Sequence, residues 1–289
     1  LSALNARDVH VASPELFSLL SSAEAWRAGT DGAFDARLGA VTLAWRAGTP
    51  DDARQLPAAL TLDPARRTVR RPVGMIVDLD GVAKGHVIDR AVTAARAASP
   101  DVAGVMVDLG GDLRCWGASP GGGAGWRIGV ADGCDVADNA APLAVLTLSD
   151  GAVAFSGRGA RDHVVDGTPA GHLLDPVSGR PAEGVLAACV TARTAAEADA
   201  LSTAFAVMAP RRAIALAYAT AGVEALIQTA DGRRLASAGW RSLVDAPEEP
   251  RARLIRVADG PAWPKGFEVA IGYEIPKIAV GNYRSPYVA

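Results

Sequence analysis

Lysine is nearly missing from this sequence: of 29 basic residues only Lys84, Lys265 and Lys277 are lysine, and the other 26 are arginine. Cysteine is scarce too. Cys115, Cys134 and Cys189 are odd in number, widely spaced and without a C-x-x-C pair, which argues against a disulfide scaffold and a cysteine zinc site. An excess of either charge is absent. Against 29 Lys+Arg stand 32 Asp+Glu, a formal charge of −3, so the balance argues against a generic binder of nucleic-acid phosphates. No apolar run approaches the roughly 18 residues that read as a membrane-spanning helix, and Leu1 opens with neither an initiator Met nor a charged start and apolar signal region. What remains is globular material: 49% hydrophobic and 21% charged residues over 289 positions, room for one large domain or two ordinary ones.

Patterning along the chain gives a mixed set of elements. After an Asn5 to Ser13 connector, Ser13-Pro14-Glu15 ahead of the apolar-periodic run Leu16 to Ala28 predicts a helix with Pro at its first position. Gly29 to Asp35 is turn-rich, and residues 50 to 73 read as small strands or hairpins. Met75-Ile76-Val77 predicts a short strand, Asp78 to Lys84 a turn, Val87 to Ala98 a helix and Val105-Met106-Val107 a second strand, together one strand-helix-strand unit. Gly121-Gly122-Gly123 is a loop, followed by strands near Trp126 to Val130, Leu143 to Leu148, Ala152 to Ser156 and Val185 to Thr191. Thr194 to Met208 predicts an Ala-rich helix, Arg211 to Ala221 another closed by Gly222, and Val223 to Gln228 with the Ala230-Asp231-Gly232 turn a closing hairpin. Ala246-Pro247-Glu248-Glu249-Pro250 opens a linker over 246–266, and an alternating strand from Phe267 starts a further unit over 267–289.

Three segments carry chemistry. In Asp78 to Gly85, DLDGVAKG, small residues lead into a helix whose exposed N–H groups suit an anion, and Lys84 supplies a compact cation; the segment is neither a Walker A loop nor G-x-G-x-x-G. The bland alternative is a surface lysine at a helix start. In Glu197 to Met208, Asp199, Ser202 and Thr203 stand at i, i+3 and i+4, one carboxylate and two hydroxyls on one helix face, a donor set for a hard cation such as Mg²⁺. By itself that pattern is also an ordinary polar face. In Gly171 to Pro181, His172 precedes Asp175-Pro176 in a turn-rich loop, where a histidine can act as a base near neutral pH. No Ser-His-Asp triad is encoded, because Ser156 lies in Phe155-Ser156-Gly157 rather than G-x-S-x-G.

In this order, GAFD at Gly32 to Asp35, VDLDGVAKG at Val77 to Gly85, VDLGGD at Val107 to Asp112, FSG at Phe155 to Gly157, HLLDP at His172 to Pro176 and ADALSTAFAVM at Ala198 to Met208 resemble the FAD:protein FMN transferase family, also called the ApbE family. The resemblance implies an α+β, T-fold-like transferase domain over 1–245, with mixed or antiparallel sheets and packed helices. The implied activity is Mg²⁺-dependent transfer of FMN from FAD to a threonine or serine hydroxyl of a target protein, with release of AMP. It further implies that Ala33, Phe34, Asp35, Asp78, Lys84 and Leu173 contact the flavin nucleotide. The Gly81 carbonyl, Asp199 and Thr203, with Ser202 close by, would hold the metal, and His172 would take the acceptor proton. The expected partner is an exported redox protein with an Asp-x-x-(Ser/Thr)-Gly-Ala-Thr segment, and the expected location is periplasmic or on the outer face of the inner membrane. Rival readings are an FAD pyrophosphatase, with water as acceptor, and a flavin-binding protein without turnover.

Two departures from the family pattern stand out. Asp80 replaces the usual small residue before Gly81, where an extra carboxylate either repels phosphate or joins the outer surroundings of the metal, and the expectation is that it is tolerated. Leu1 falls after a family strand and helix that carry a Met-Gly-Thr-like segment and a flavin-contacting aromatic. The tail from Phe267, ending Arg284-Ser285-Pro286-Tyr287-Val288-Ala289, resembles the start of a small β-rich domain that follows some flavin transferases.

Overall fold

The computed structural model describes residues 1–49, 59–120, 123, 125–133, 142–158, 162–165 and 168–245, with backbone alone at 163–165, 168–170, 253–256 and 270–275. The first part runs α1 (Ser2–Asn5), β1 (Val9–Val11), α2 (Pro14–Gly29), α3 (Gly39–Arg46), β2 (Thr61–Asp63), β3 (Thr68–Arg70) and α4 (Asp80–Ala98). Then come β4 (Gly104–Leu109), β5 (Asp112–Gly117), β6 (Trp126–Val130), β7 (Ala144–Leu148), β8 (Asp150–Gly157), β9 (His163–Val165), β10 (Thr168–Ala170), β11 (Leu174–Asp175), β12 (Arg180–Pro181) and β13 (Val185–Ala192). The chain continues with α5 (Ala195–Val207), α6 (Pro210–Ala219), β14 (Glu224–Thr229), β15 (Arg234–Ser237), α7 (Trp240–Leu243), β16 (Arg253–Arg256) and β17 (Ala270–Ile275).

An antiparallel sheet in the order β16-β17-β15-β14-β13-β8-β5-β4 divides the core in two. Side chains alternate across a strand. Ala152, Ala154, Ala188, Val190, Ala225 and Ile227 join the helical layer of α4, α5 and α6, whereas Val153, Cys189, Leu226 and Ala236 join the β6-β7 hairpin and Trp240 on the opposite face. Being covered on both sides explains why β13 reads as a continuous apolar run instead of an alternating one. Burial pushes the Cys115 thiol up to about 11 and also raises that of Cys189, so both are small core residues. A smaller sheet, β1-β3-β2, covers the N-terminal side. Among the described residues no helix is long and apolar enough to cross a membrane.

The α+β class expected from the sequence is the one observed, and several boundaries agree. Ser13 caps α2 by accepting the Leu16 N–H at 3.2 Å, with Pro14 at the first position. The strand-helix-strand unit is corrected. Met75 to Val77 makes only a single parallel bridge, Leu38 with Ile76, and belongs to no sheet. Its backbone groups are satisfied otherwise: the Asn5 side-chain amide donates to the Val77 carbonyl (2.8 Å) and accepts its N–H (2.9 Å), Arg71 donates to the Met75 carbonyl, and Gly39 N–H to that of Ile76. The turn expected from Asp78 to Lys84 is also shorter than read, since α4 begins at Asp80, started by the Asp78 carboxylate accepting the Asp80 N–H at 2.9 Å. The connector contains β1, and α3 carries no sequence expectation at all. Most of the expected linker and following unit lies outside the described residues; within them, β16 and β17 extend the edge of the main sheet beyond β15. Cys134 and most of the Gly121 to Gly123 loop also lie outside.

The contact that sets the geometry is α4 on α5. A Cβ on Gly85 would sit 2.2 Å from the Ala195 carbonyl oxygen and 2.6 Å from the Ala196 nitrogen, so here one helix touches the backbone of the next. One turn further on, the Asp89 carboxylate accepts the N–H groups of Ala195 (2.9 Å) and Ala196 (3.0 Å) and is paired with Arg114 at 2.7 Å. Thr194 caps the same helix end through the Glu197 N–H. Helix propensity alone would make Gly85→Ala stabilising by about 1 kcal/mol. Overpacking reverses the sign, and the variant is expected to lose roughly 1–3 kcal/mol in a urea unfolding titration. A variant as stable as the parent would show that the helices separate at little cost.

Candidate functional site

A cavity of about 800 Å³ opens where the first turn of α4, the middle of α5, the end of β8 and the loops before α3 and β11 converge. That volume lies toward the upper part of the range for small-molecule sites. Its lining mixes apolar residues, Ala33, Phe34, Leu38, Phe155 and Leu173, with polar ones, Asp78, Lys84, Asp199, Thr203 and His172.

Ala33, Phe34 and Asp35 are placed by the turn after α2. Gly32 has φ +83, and Thr30 donates to the Trp26 carbonyl (2.8 Å) while accepting the Phe34 N–H (3.0 Å). This folds Phe34 back against Trp26, edge to face at 6.0 Å. Asp35 is buried but already engaged, its carboxylate held by the Arg37 guanidinium at 2.5 and 2.8 Å, which pushes Arg37 further up. Leu173 stands just before the β11-β12 hairpin, which is tied to α3 by the Trp45 indole donating to the Gly179 carbonyl at 2.8 Å.

Gly81 and Lys84 stand on the first turns of α4, facing α5. A Cβ on Gly81 would lie 3.1 Å from Thr203 Oγ1 and 3.3 Å from Phe34, so only glycine leaves this corner open. Asp199 is almost fully buried and accepts the Gly85 N–H at 3.0 Å, competing for the donor that an α-helix aims at the Gly81 carbonyl. Lys84 forms an ion pair with Asp112 and lies 3.9 Å from Asp199. Asp112 is itself buried and braced by the Phe155 N–H at 3.0 Å. Ser202 is fully buried behind the wall: its hydroxyl donates to the Asp199 carbonyl at 3.0 Å, so Ser156, 2.8 Å away, must donate to Ser202. The corner thus offers the Gly81 carbonyl, one carboxylate and the Thr203 hydroxyl. These are hard oxygen donors that fit Mg²⁺ with waters and substrate phosphates completing the shell. Among the described residues no cluster of three His, Cys, Asp or Glu forms an alternative metal centre.

His172 sits at the rim. Its Nδ1 lies 3.1 Å from Asp162 Oδ1, which also accepts the His172 N–H, while Arg158 reaches the other carboxylate oxygen at 3.3 Å. A carboxylate on Nδ1 favours the tautomer with its proton there and Nε2 as acceptor. The cavity therefore brings together Ala33, Phe34, Asp35, Asp78, Gly81, Lys84, His172, Leu173, Asp199 and Thr203, leaving Ser202 behind its wall. Asp112 and Asp162 received no role from the sequence. Asp112 ends the quoted VDLGGD segment, but nothing in the spacing pairs it with Lys84, and no motif marks Asp162.

The protein-family model described as the ApbE family matches residues 1–227. The chain belongs to the ApbE family. It is 32% identical over 284 residues to the FAD:protein FMN transferase of Treponema pallidum, covering 88% of this chain and 76% of that protein. Similarity to the FAD:protein FMN transferase of Chlamydia trachomatis is 29% over 211 residues, 66% of this chain and 62% of that one, so the chain spans less than two thirds of that relative. The ApbE crystal structure from Thermotoga maritima superposes with a TM-score of 0.73 at 30% identity, covering 85% of this chain and 83% of that one. The apo flavinyl transferase ApbE of Pseudomonas stutzeri gives 0.62 at 26%, covering 78% and 73%.

Within this ApbE-family cavity, burial raises the Asp78 carboxyl above its ordinary range, and the neighbouring Asp80 adds to the shift. A carboxyl raised on folding costs stability when ionised, and the cost disappears as pH falls through its folded-state value toward the unfolded one. Asp78→Asn keeps an oxygen for the Asp80 N–H and is expected to melt higher than the parent at pH 7, with the difference closing on acidification. A difference that stays constant down to pH 4 would assign the effect to something other than this ionisation.

Proposed function

We propose that this ApbE-family chain is a Mg²⁺-dependent FAD:protein FMN transferase, the activity named for its relatives in Treponema and Chlamydia. The observation that carries the reading is one cavity lined both by apolar side chains, Phe34 and Leu173 among them, and by Lys84, Asp199, Thr203 and His172, the last paired with Asp162. In the proposed step the acceptor hydroxyl oxygen bonds to the FMN phosphorus of FAD. The bond from that phosphorus to the bridging oxygen breaks, and AMP leaves with that oxygen. His172 takes the hydroxyl proton through Nε2, while Asp162 holds the ring. Lys84 orients the pyrophosphate as a compact cation that already has two carboxylates within reach. Phe34 and Leu173 shield the flavin end from water. When bound, Mg²⁺ neutralises pyrophosphate charge, with the Gly81 carbonyl, Asp199 and Thr203 holding it and Ser202 bracing Asp199 from behind.

The proposed acceptor is an exported redox protein whose Asp-x-x-(Ser/Thr)-Gly-Ala-Thr segment supplies the hydroxyl, which puts the reaction in the periplasm or at the outer face of the inner membrane. With FAD, Mg²⁺ and such an acceptor, intact-mass spectrometry is expected to find one added FMN on the acceptor and stoichiometric AMP. Free FMN and AMP with an unmodified acceptor would instead identify a pyrophosphatase, and unconsumed FAD a binding protein.

Asp199→Ala is expected to abolish transfer and its Mg²⁺ dependence; transfer that persists would remove Asp199 from the metal site. His172→Ala is expected to lower kcat by about 10²–10⁴ with little change in the KM for FAD. An unchanged kcat would take the base role from His172.

A further inference from the structure

Charge around the cavity is unevenly restrained. Its lining and the direct ion-pair partners of that lining carry six carboxylates, Asp35, Asp78, Asp80, Asp112, Asp162 and Asp199, against four cations, Arg37, Arg46, Lys84 and Arg158. A dinucleotide with two phosphate charges therefore enters a site that is already negative, and needs positive charge beyond what a divalent ion beside Asp199 supplies. Of the three cations in the lining itself, two are held from below: Lys84 by Asp112, whose side chain is 1% exposed, and Arg158 by Asp162, at 15%. Arg46 is different. It ends α3 and meets Asp80, the first residue of α4, at 3.4 Å, with side chains 50% and 77% exposed.

Each member of that pair has another source of stability. Arg46 lies at a helix C-terminus and Asp80 at a helix N-terminus, where their charges oppose the helix dipoles favourably without any partner. Exposed ion pairs of this kind hold weakly and screen with salt. Asp80 and Lys84 are also four residues apart on α4, one turn along the same face. Arg46 and Lys84 line the same cavity, and the residue that holds Arg46 stands one helical pitch, roughly 5 Å along the axis, before Lys84. Arginine is also the side chain whose planar fork grips a phosphate through two parallel hydrogen bonds.

We propose that Arg46 is a phosphate-binding residue of this site, kept at the cavity mouth by Asp80 and surrendered to the dinucleotide when it binds, so that Asp80 weakens nucleotide affinity. The proposal rests on the reading of FAD as substrate. It gives Asp80, the residue that departs from the family pattern, a defined effect: a carboxylate that competes with phosphate for one arginine.

Flavin-fluorescence titration of the whole protein with FAD and with riboflavin, in the presence of Mg²⁺, tests it. Arg46→Ala is expected to weaken FAD binding about tenfold, as loss of a charge-assisted hydrogen bond does, and to leave riboflavin affinity unchanged. Asp80→Asn is expected to tighten FAD roughly threefold at low salt, less at high salt, and to lose most of that gain when combined with Arg46→Ala. Both side chains are exposed, and unchanged melting temperatures will show that the variants fold. Unaltered FAD affinity in Arg46→Ala, equal losses for FAD and riboflavin, or weaker FAD binding in Asp80→Asn would each overturn the proposal. Failure of FMN transfer with this binding pattern intact would overturn the transferase reading alone. An unaltered protein that does not bind FAD would overturn both.

Discussion

Two helices meet here with no side chain between their backbones, and the site exists because of it. At Gly85 the separation of α4 from α5 is set by the Ala195 carbonyl, closer than any Cβ tolerates. That approach brings the Gly81 turn against Thr203 and lets Asp199 reach the Gly85 N–H. Asp89 then fixes rotation and register by capping α5 from α4. A looser crossing with ordinary side chains would leave the same residues present but several ångström apart, too far to share one ion or one phosphate. The glycines of DLDGVAKG are thus packing residues first, set by how closely α4 approaches α5.

Burying carboxylates in such a crossing is costly unless each is matched. The structure matches them individually: Asp35 with Arg37, Asp89 with Arg114 and two helix N–H groups, Asp112 with Lys84 and a backbone N–H, Asp199 with the Gly85 N–H. Asp78 is the exception: burial raises its carboxyl, and the Asp80 N–H and the charge of Arg46 only partly offset that. A group left poorly solvated in an open cavity is where a ligand gains most by supplying the missing partner, and such groups concentrate at functional sites. The stability lost at Asp78 and the affinity held back at Asp80 occur on one turn of chain, at the mouth of one cavity.

Much of this was readable in the sequence, for definable reasons. Helix α2 announces itself through Ser13 and Pro14, α5 through Thr194 and its alanine periodicity, and the β14-β15 hairpin through Ala230-Asp231-Gly232, because caps and turns are local chemistry. That Lys84, His172 and Asp199 share a site was implied by the family resemblance that six short motifs carry in order, not by any one of them. What could not be read is what depends on distant partners. Met75 to Val77 has the composition of a strand, yet an asparagine more than seventy residues upstream takes its hydrogen bonds. The first turn of α4 looks like a loop because glycine and aspartate favour loops, until the packing against α5 is known. Asp112 and Asp162 lie in unremarkable surroundings, and only the fold turns them toward Lys84 and His172.

The choice of lysine at position 84 follows from the same geometry. This chain uses arginine almost everywhere, including at Arg37, Arg114 and Arg158, where a planar fork or a single direct contact to one carboxylate suffices. Position 84 faces a different demand, with Asp112 on β5 to one side, Asp199 on α5 to the other and an open cavity ahead. A guanidinium directs its five donors in one plane and serves acceptors that lie in it, as Arg71 does with the carbonyls of Leu4, Asn5 and Met75. An ammonium at the end of a flexible stem can turn its three donors to oxygens arriving from different directions, and can shift between them as a phosphate enters. Replacing it with arginine would keep the charge and lose that freedom, so the lysine answers to the placement of its partners more than to its sign.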